Sequence, residues 1–101
     1  MLGPILHWIQ PGLRADVASG MLKTTASFVA NYIGPAPPPG SAPHRYVFLL
    51  YEQPEGFEGA EYAPANGKEL SNWYRIRYDL ESWEKTAGLG EVVGVNYFVS
   101  N

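Results

Sequence analysis

Residues 34–53 constrain the fold more than any other stretch. Gly34-Pro35-Ala36-Pro37-Pro38-Pro39-Gly40-Ser41-Ala42-Pro43 runs directly into His44-Arg45-Tyr46-Val47-Phe48-Leu49-Leu50-Tyr51-Glu52-Gln53. Proline fixes φ at about −65° and lacks an N–H, so the first part cannot join a sheet ladder and loses little entropy on ordering. Residues 46–51 are apolar at both alternating positions, which predicts a strand buried on two faces. His44 stands where the stiff loop meets that strand, a place suited to holding a small polar ligand.

Composition narrows the class. A chain of 101 residues makes one domain, and apolar content of 46% with 14% aromatics is enough for a packed core. A formal charge of −3 excludes a nucleic-acid role, because such binding needs a basic footprint. The cationic residues are scattered, which argues against docking on an anionic membrane. With no cysteine there are no disulfides, thiol nucleophiles or thiolate metal sites, and a cytoplasmic location is expected. Residues 1–9 carry no basic leader and are interrupted by Pro4 and His7. They read as neither a signal peptide nor a transmembrane segment, which needs about 20 apolar residues.

Along the chain, residues 5–9 read as a first strand closed by Gln10-Pro11-Gly12. Residues 13–30 are ambiguous, loop with one helical turn, and residues 28–33 read as a short strand. The main strand follows over 45–52. Residues 54–68 form a long acidic loop, and residues 73–78 alternate as a half-buried strand. Asp79 caps a helix over 80–87, with Leu80, Trp83 and Ala87 on one face, Glu81 and Lys85 spaced to pair, and Gly88 just past the end. Residues 92–99 make the last strand, with Val93, Val95, Tyr97 and Val99 on one face. The sum is a mainly β chain, an antiparallel sheet or part of a sandwich with one late helix.

Few residues here carry chemistry. By period-two alternation His44 and Tyr46 share one face and Arg45 takes the other. A histidine beside a glycine-rich turn can donate to an anion, with its protonation tuning the bond; a strand-end imidazole satisfied by a backbone carbonyl is the simpler account. His7 in an apolar strand needs a partner for the same reason. Two histidines without a third ligand make no metal site, and no cofactor is called for. Arg45 and Arg77 read as structural guanidiniums pinned by carboxylates or carbonyls. Tyr46 and Tyr97 read first as core aromatics, and then as pocket-lining groups. Gly34 and Gly40 serve backbone turns, with the Gly34 N–H able to approach an anion. Ser41 lacks an acid–histidine pair to activate it, so catalysis is not supported.

The run GPAPPPGSAPHRYVFLLYEQ resembles the second signature of the phosphatidylethanolamine-binding protein family: a proline loop, His-Arg-Tyr, and an apolar strand ending in Glu-Gln. His7-Trp8 is similar to the histidine–aromatic pair of that family's first signature. Arg77-Tyr78-Asp79-Leu80, Gly88-Leu89-Gly90 and the 92–98 segment look like its closing part, particularly in fungal members. The resemblance implies a β-sandwich fold and a non-catalytic binding protein whose small pocket takes anionic or phosphoryl headgroups. It places His7 and His44 together in that pocket, beside Gly34, Pro35, Tyr46 and Tyr97. It also implies alternatives: a partner-binding inhibitor of serine proteases, including carboxypeptidase Y, a kinase binder, or an accessory protein of fungal natural-product biosynthesis.

One departure stands out. The Asp-Pro-Asp-x-Pro run that precedes the histidine in the family has no counterpart ahead of His7. Residues 1–101 are therefore expected to form a single domain lacking the N-terminal half of the family fold, as a truncated product, a gene product with a misplaced start, or a short paralogue. Such a chain would leave a sheet edge and one apolar face open, with Trp8, Phe48 and Val95 partly bare, and would self-associate through the exposed edge or depend on a partner.

Overall fold

A computed structural model describes residues 3–37 and 39–101. Its main element is an antiparallel ribbon. The apolar, β-branched and aromatic run after the proline loop forms strand β3 (His44–Tyr51), and the closing run forms β4 (Val92–Ser100). In register, Arg45 opposes Val99, Val47 opposes Tyr97 and Leu49 opposes Val95 on one face; Tyr46 opposes Phe98 and Phe48 opposes Asn96 on the other. Register slips between Leu50 and Tyr51. Gly94 lies beside Leu50 there, and a Cβ on it would stand 3.5 Å from the Leu50 Cβ.

The ribbon corrects one expectation. Strand β3 is not buried on two faces: it has a single partner strand, and Val47 is 55% and Val95 66% exposed. Only the Tyr46–Phe98 face is covered. There Tyr46 stacks on Phe98 (5.1 Å) and meets His7 edge-on, while Trp8 bridges Phe48 and Tyr32 by edge contacts. Trp8 and Phe48 are nevertheless 38% and 39% exposed, so the three side chains expected to be partly bare are so.

The expected strands over 5–9, 28–33 and 73–78 are corrected: the first two meet the rest of the chain at isolated bridges, Ile5 to Ile76 and Ile9 to Ala30, and 73–78 is made of turns around Ile76. The cause is Arg75, 1% exposed and the largest fully buried side chain. Drawing a guanidinium inward breaks the period-two ladder. Residues Asn72–Tyr74 become a 3₁₀ turn whose Trp73 and Tyr74 face solvent, and Arg77 takes a left-handed φ of 51°. Among the described residues the fully buried apolar side chains are small: Val29, Ala30 and Ala87.

The ambiguous 13–30 segment contains a minimal hairpin, β1 (Arg14–Ala15) with β2 (Leu22–Lys23). Asp16 closes it, accepting from Ser19 Oγ at 2.6 Å and pairing with Lys23 Nζ at 3.1 Å. The acidic 54–68 loop carries two 3₁₀ turns, Gly59–Glu61 and Ala65–Gly67. Helix α1 (Leu80–Ala87) is the late helix expected. The Asp79 side chain accepts from Ser82 N, and Gly88 terminates it at φ 70° with bonds to the Glu84 and Lys85 carbonyls. Glu81 and Lys85 form no ion pair among the described residues. Tyr51 Oη donates to Glu84 at 2.6 Å, fastening α1 to the end of β3. Among the described residues the architecture is thus two antiparallel two-stranded sheets and one late α-helix, the mainly β class expected.

Candidate functional site

The region where loop and ribbon meet is organised by His7. Its Nδ1 lies 2.9 Å from the Ile33 carbonyl oxygen, and the Ile33 N–H donates back to the His7 carbonyl at 2.9 Å. A carbonyl can only accept, so Nδ1 carries the hydrogen; Nε2 then bears a lone pair in the neutral ring and donates when the ring is protonated. Among the described residues Nε2 has no protein partner. The ring stands edge-on to Tyr46, with centroids 5.1 Å apart and planes at 80°. His7 is therefore fixed at the mouth of the proline loop, immediately before Gly34 and Pro35, and on the covered face of the ribbon.

His44 opens β3 opposite Ser100 and is exposed. Strand alternation puts it on the same face as Tyr46, two residues from the ring that His7 touches. Ser41, three residues before His44, holds a buried Oγ with no hydrogen-bond partner. Buried hydroxyls are ordinarily bonded, and an unbonded one costs about 1–3 kcal/mol. Gly40 uses a left-handed φ of 79°, as a turn requires, whereas Gly34 has no such backbone and a Cβ there would meet only Tyr32 Cε2 at 4.0 Å. Gly34 is thus not needed for a turn. Gly34 and Pro35 are both exposed. Pro38 lies outside the described residues.

The other residues fall elsewhere. Tyr97 opposes Val47 on the uncovered face and is 59% exposed, so the ribbon separates it from His7 and Tyr46. Arg45 and Arg77 are exposed. The pinned guanidinium is that of Arg75. Its Nε donates to the Leu70 carbonyl (3.0 Å), Nη1 to those of Leu6 (3.3 Å), His7 (3.3 Å) and Asn31 (3.2 Å), and Nη2 to Asn31 Oδ1 (2.7 Å). Asn31 Oδ1 also accepts from Leu70 N at 2.8 Å. Burial lowers the Arg75 pKa, and the Glu69 charge partly offsets that. Through the His7 carbonyl this hub sets the backbone that carries the imidazole. Arg75 was legible only as one member of an Arg75/Arg77 alternation; the lone Asn31 beside apolar neighbours was the available sign of a buried polar centre.

Two concavities among the described residues lie away from His7 and His44, neither of which lines them. One, about 310 Å³, is apolar and aromatic, between Leu6, Ile9, Leu70, Tyr78 and Trp83. The other, about 270 Å³, lies between Pro11, Gly12, Gln53 and Phe57. There is no cluster of three metal-ligating side chains among the described residues, and no helix there is long and apolar enough to cross a membrane.

The chain is 42% identical over 103 residues to phomoidride biosynthesis cluster protein N of Talaromyces stipitatus, an alignment covering 96% of this chain and 50% of that protein. It is 55% identical over 68 residues to the carboxypeptidase Y inhibitor of Saccharomyces cerevisiae, covering 67% of this chain and 31% of the inhibitor. The chain thus spans half or less of the length of the curated relatives it matches. No solved structure matches it. The profile described as phosphatidylethanolamine-binding protein matches residues 1–98, and the chain belongs to that family.

Proposed function

We propose that this protein is a non-catalytic binding module that takes a small anionic or phosphoryl-bearing group at the junction of the proline loop and β3. The observation that carries this reading is the fixed His7 imidazole: Nδ1 is committed to Ile33, and Nε2 is left to a ligand. The His7 ring, His44 on the same strand face and the unbonded Ser41 hydroxyl are groups of the kind that bond a phosphoryl group. Gly34, Pro35 and Tyr46 complete the surroundings. Affinity is weak, because an exposed His44 works in water, where charge-assisted bonds are screened. Residues 1–101 act as one unit in this reading, and the protein works in the cytoplasm.

A second reading rests on the relatives. A match at 55% identity to a carboxypeptidase Y inhibitor, and one at 42% to a biosynthesis cluster protein, favour a protein partner or a pathway accessory role in which the pocket is incidental. Titration of the full chain with phosphorylethanolamine, followed by imidazole NMR, separates the two. We expect both histidines to shift with a dissociation constant in the millimolar range, about −4 kcal/mol, and the effect to be lost in His44→Ala. Submicromolar affinity, or binding unchanged in His44→Ala, would count against the headgroup reading.

A further inference from the structure

The face of the ribbon opposite the histidines is bare. Val47, Val93, Val95, Tyr97 and Val99 are 55%, 62%, 66%, 59% and 56% exposed, contiguous across the two paired strands. Together they present roughly 500 Å² of mostly apolar surface, at the upper end of what a monomer carries without a partner. The ribbon is also electrically polar along its length. His44 and Arg45 stand at one end; the exposed Glu52 and Glu91, following β3 and preceding β4, stand at the other.

We propose that this face is a homodimer interface, in which two copies stack ribbon on ribbon about a two-fold axis. The argument has three parts. A two-fold axis lying between the two faces and perpendicular to the strands turns one face onto the other and reverses the strand direction, and so lays the Arg45 end of each copy over the Glu52–Glu91 end of its partner. The surface is therefore complementary to itself, as an isologous contact must be. Two such patches bury on the order of 1,000 Å², the size at which a specific interface forms. The side chains are β-branched with one aromatic, the kind that interdigitates between sheets about 10 Å apart. Stacking leaves the His7–His44 side outward on both copies, so the interface does not depend on the ligand reading. Pairing through the free strand edges would not use the charges at the ribbon ends.

Charge exchange provides the test. In sedimentation velocity at tens of micromolar, the wild-type chain should be a dimer. Arg45→Glu and Glu91→Arg should each weaken dimerisation at least tenfold, because each sets like charges over one another. An equimolar mixture of the two should restore a dimer made of one copy of each, since both cross-contacts are then opposite in sign. Val95→Asp should be monomeric, with the circular dichroism of the wild type retained in both charge variants. A monomeric wild type, as expected if a strand-supplying partner covers the face, would overturn the proposal. So would open-ended assembly, as expected from edge pairing, or a dimer indifferent to both charge reversals.

Discussion

Replacing Arg75 by alanine is the most informative perturbation of this fold. The side chain makes five hydrogen bonds to three segments: Leu6 and His7, Asn31, and Leu70. Truncation strands the backbone carbonyls of Leu6, Asn31 and Leu70, leaves the His7 carbonyl and Asn31 Oδ1 with one donor each, and opens a cavity the size of a guanidinium. An unsatisfied buried acceptor costs about 1–3 kcal/mol. Water entering the cavity recovers part of that, so the net loss should be about 3–5 kcal/mol. A chain of this size has about 5–15 kcal/mol in total, and a core of three small side chains puts this one at the low end. Arg75→Ala should therefore be largely unfolded at 25 °C in dilute buffer. Arg75→Lys keeps the charge but replaces a planar fork of five donors with three from one nitrogen, and should lose about half as much. The assay is urea unfolding followed by tryptophan fluorescence, at submicromolar concentration so that association does not contribute. A loss below about 1 kcal/mol for Arg75→Ala would refute the claim that this guanidinium organises the fold.

Two further outcomes follow. Gly12 has φ 77°, and a Cβ there would stand 2.7 Å from the Ala26 Cβ, whereas Gly40 at φ 79° faces open space. Thermal melts should show Gly12→Ala losing about 2–4 kcal/mol, strain plus clash, and Gly40→Ala about 1 kcal/mol, strain alone; equal losses would contradict this. Burial, the hydrogen bond to Glu84 and the repulsion of its charge push the Tyr51 pKa up to about 12. The folded state therefore holds the phenol proton more tightly than the unfolded chain, and the stability from this link is present below about pH 10 and lost as pH rises through about 12. Tyr51→Phe should cost about 1 kcal/mol at pH 8 and progressively less between pH 10 and 12, as read from urea midpoints. A cost that grows with pH would reverse the assignment.

The strands that were legible in the sequence are those whose pattern is local. Residues 45–52 and 92–99 carry uninterrupted apolar runs, and α1 carries a cap, an apolar stripe and a terminal glycine, so each forms within a residue of expectation. Residues 5–9 and 73–78 alternate just as convincingly but form no ladder, because their partners are set by Arg75 rather than by their own pattern. Nothing in residue spacing distinguishes a buried arginine from the exposed Arg77 two positions on. At the site, alternation placed His44 and Tyr46 on one face correctly, and the contact of His7 with Tyr46 joins the first signature to the second. Tyr97 was grouped with them by resemblance, and the register, visible only once β3 and β4 pair, puts it on the other side.

The central claim, that ligand is held on the His7–His44 side of the ribbon, is tested most directly by saturation-transfer difference NMR. The full chain is mixed with excess phosphorylethanolamine, and protein ring protons are irradiated selectively. Transfer to the ligand methylenes should come from the rings of His7, His44 and Tyr46 and should vanish in His44→Ala, with none from Tyr97. Transfer from Tyr97, or from the Tyr62–Trp83 cluster with His7 and His44 silent, would contradict it.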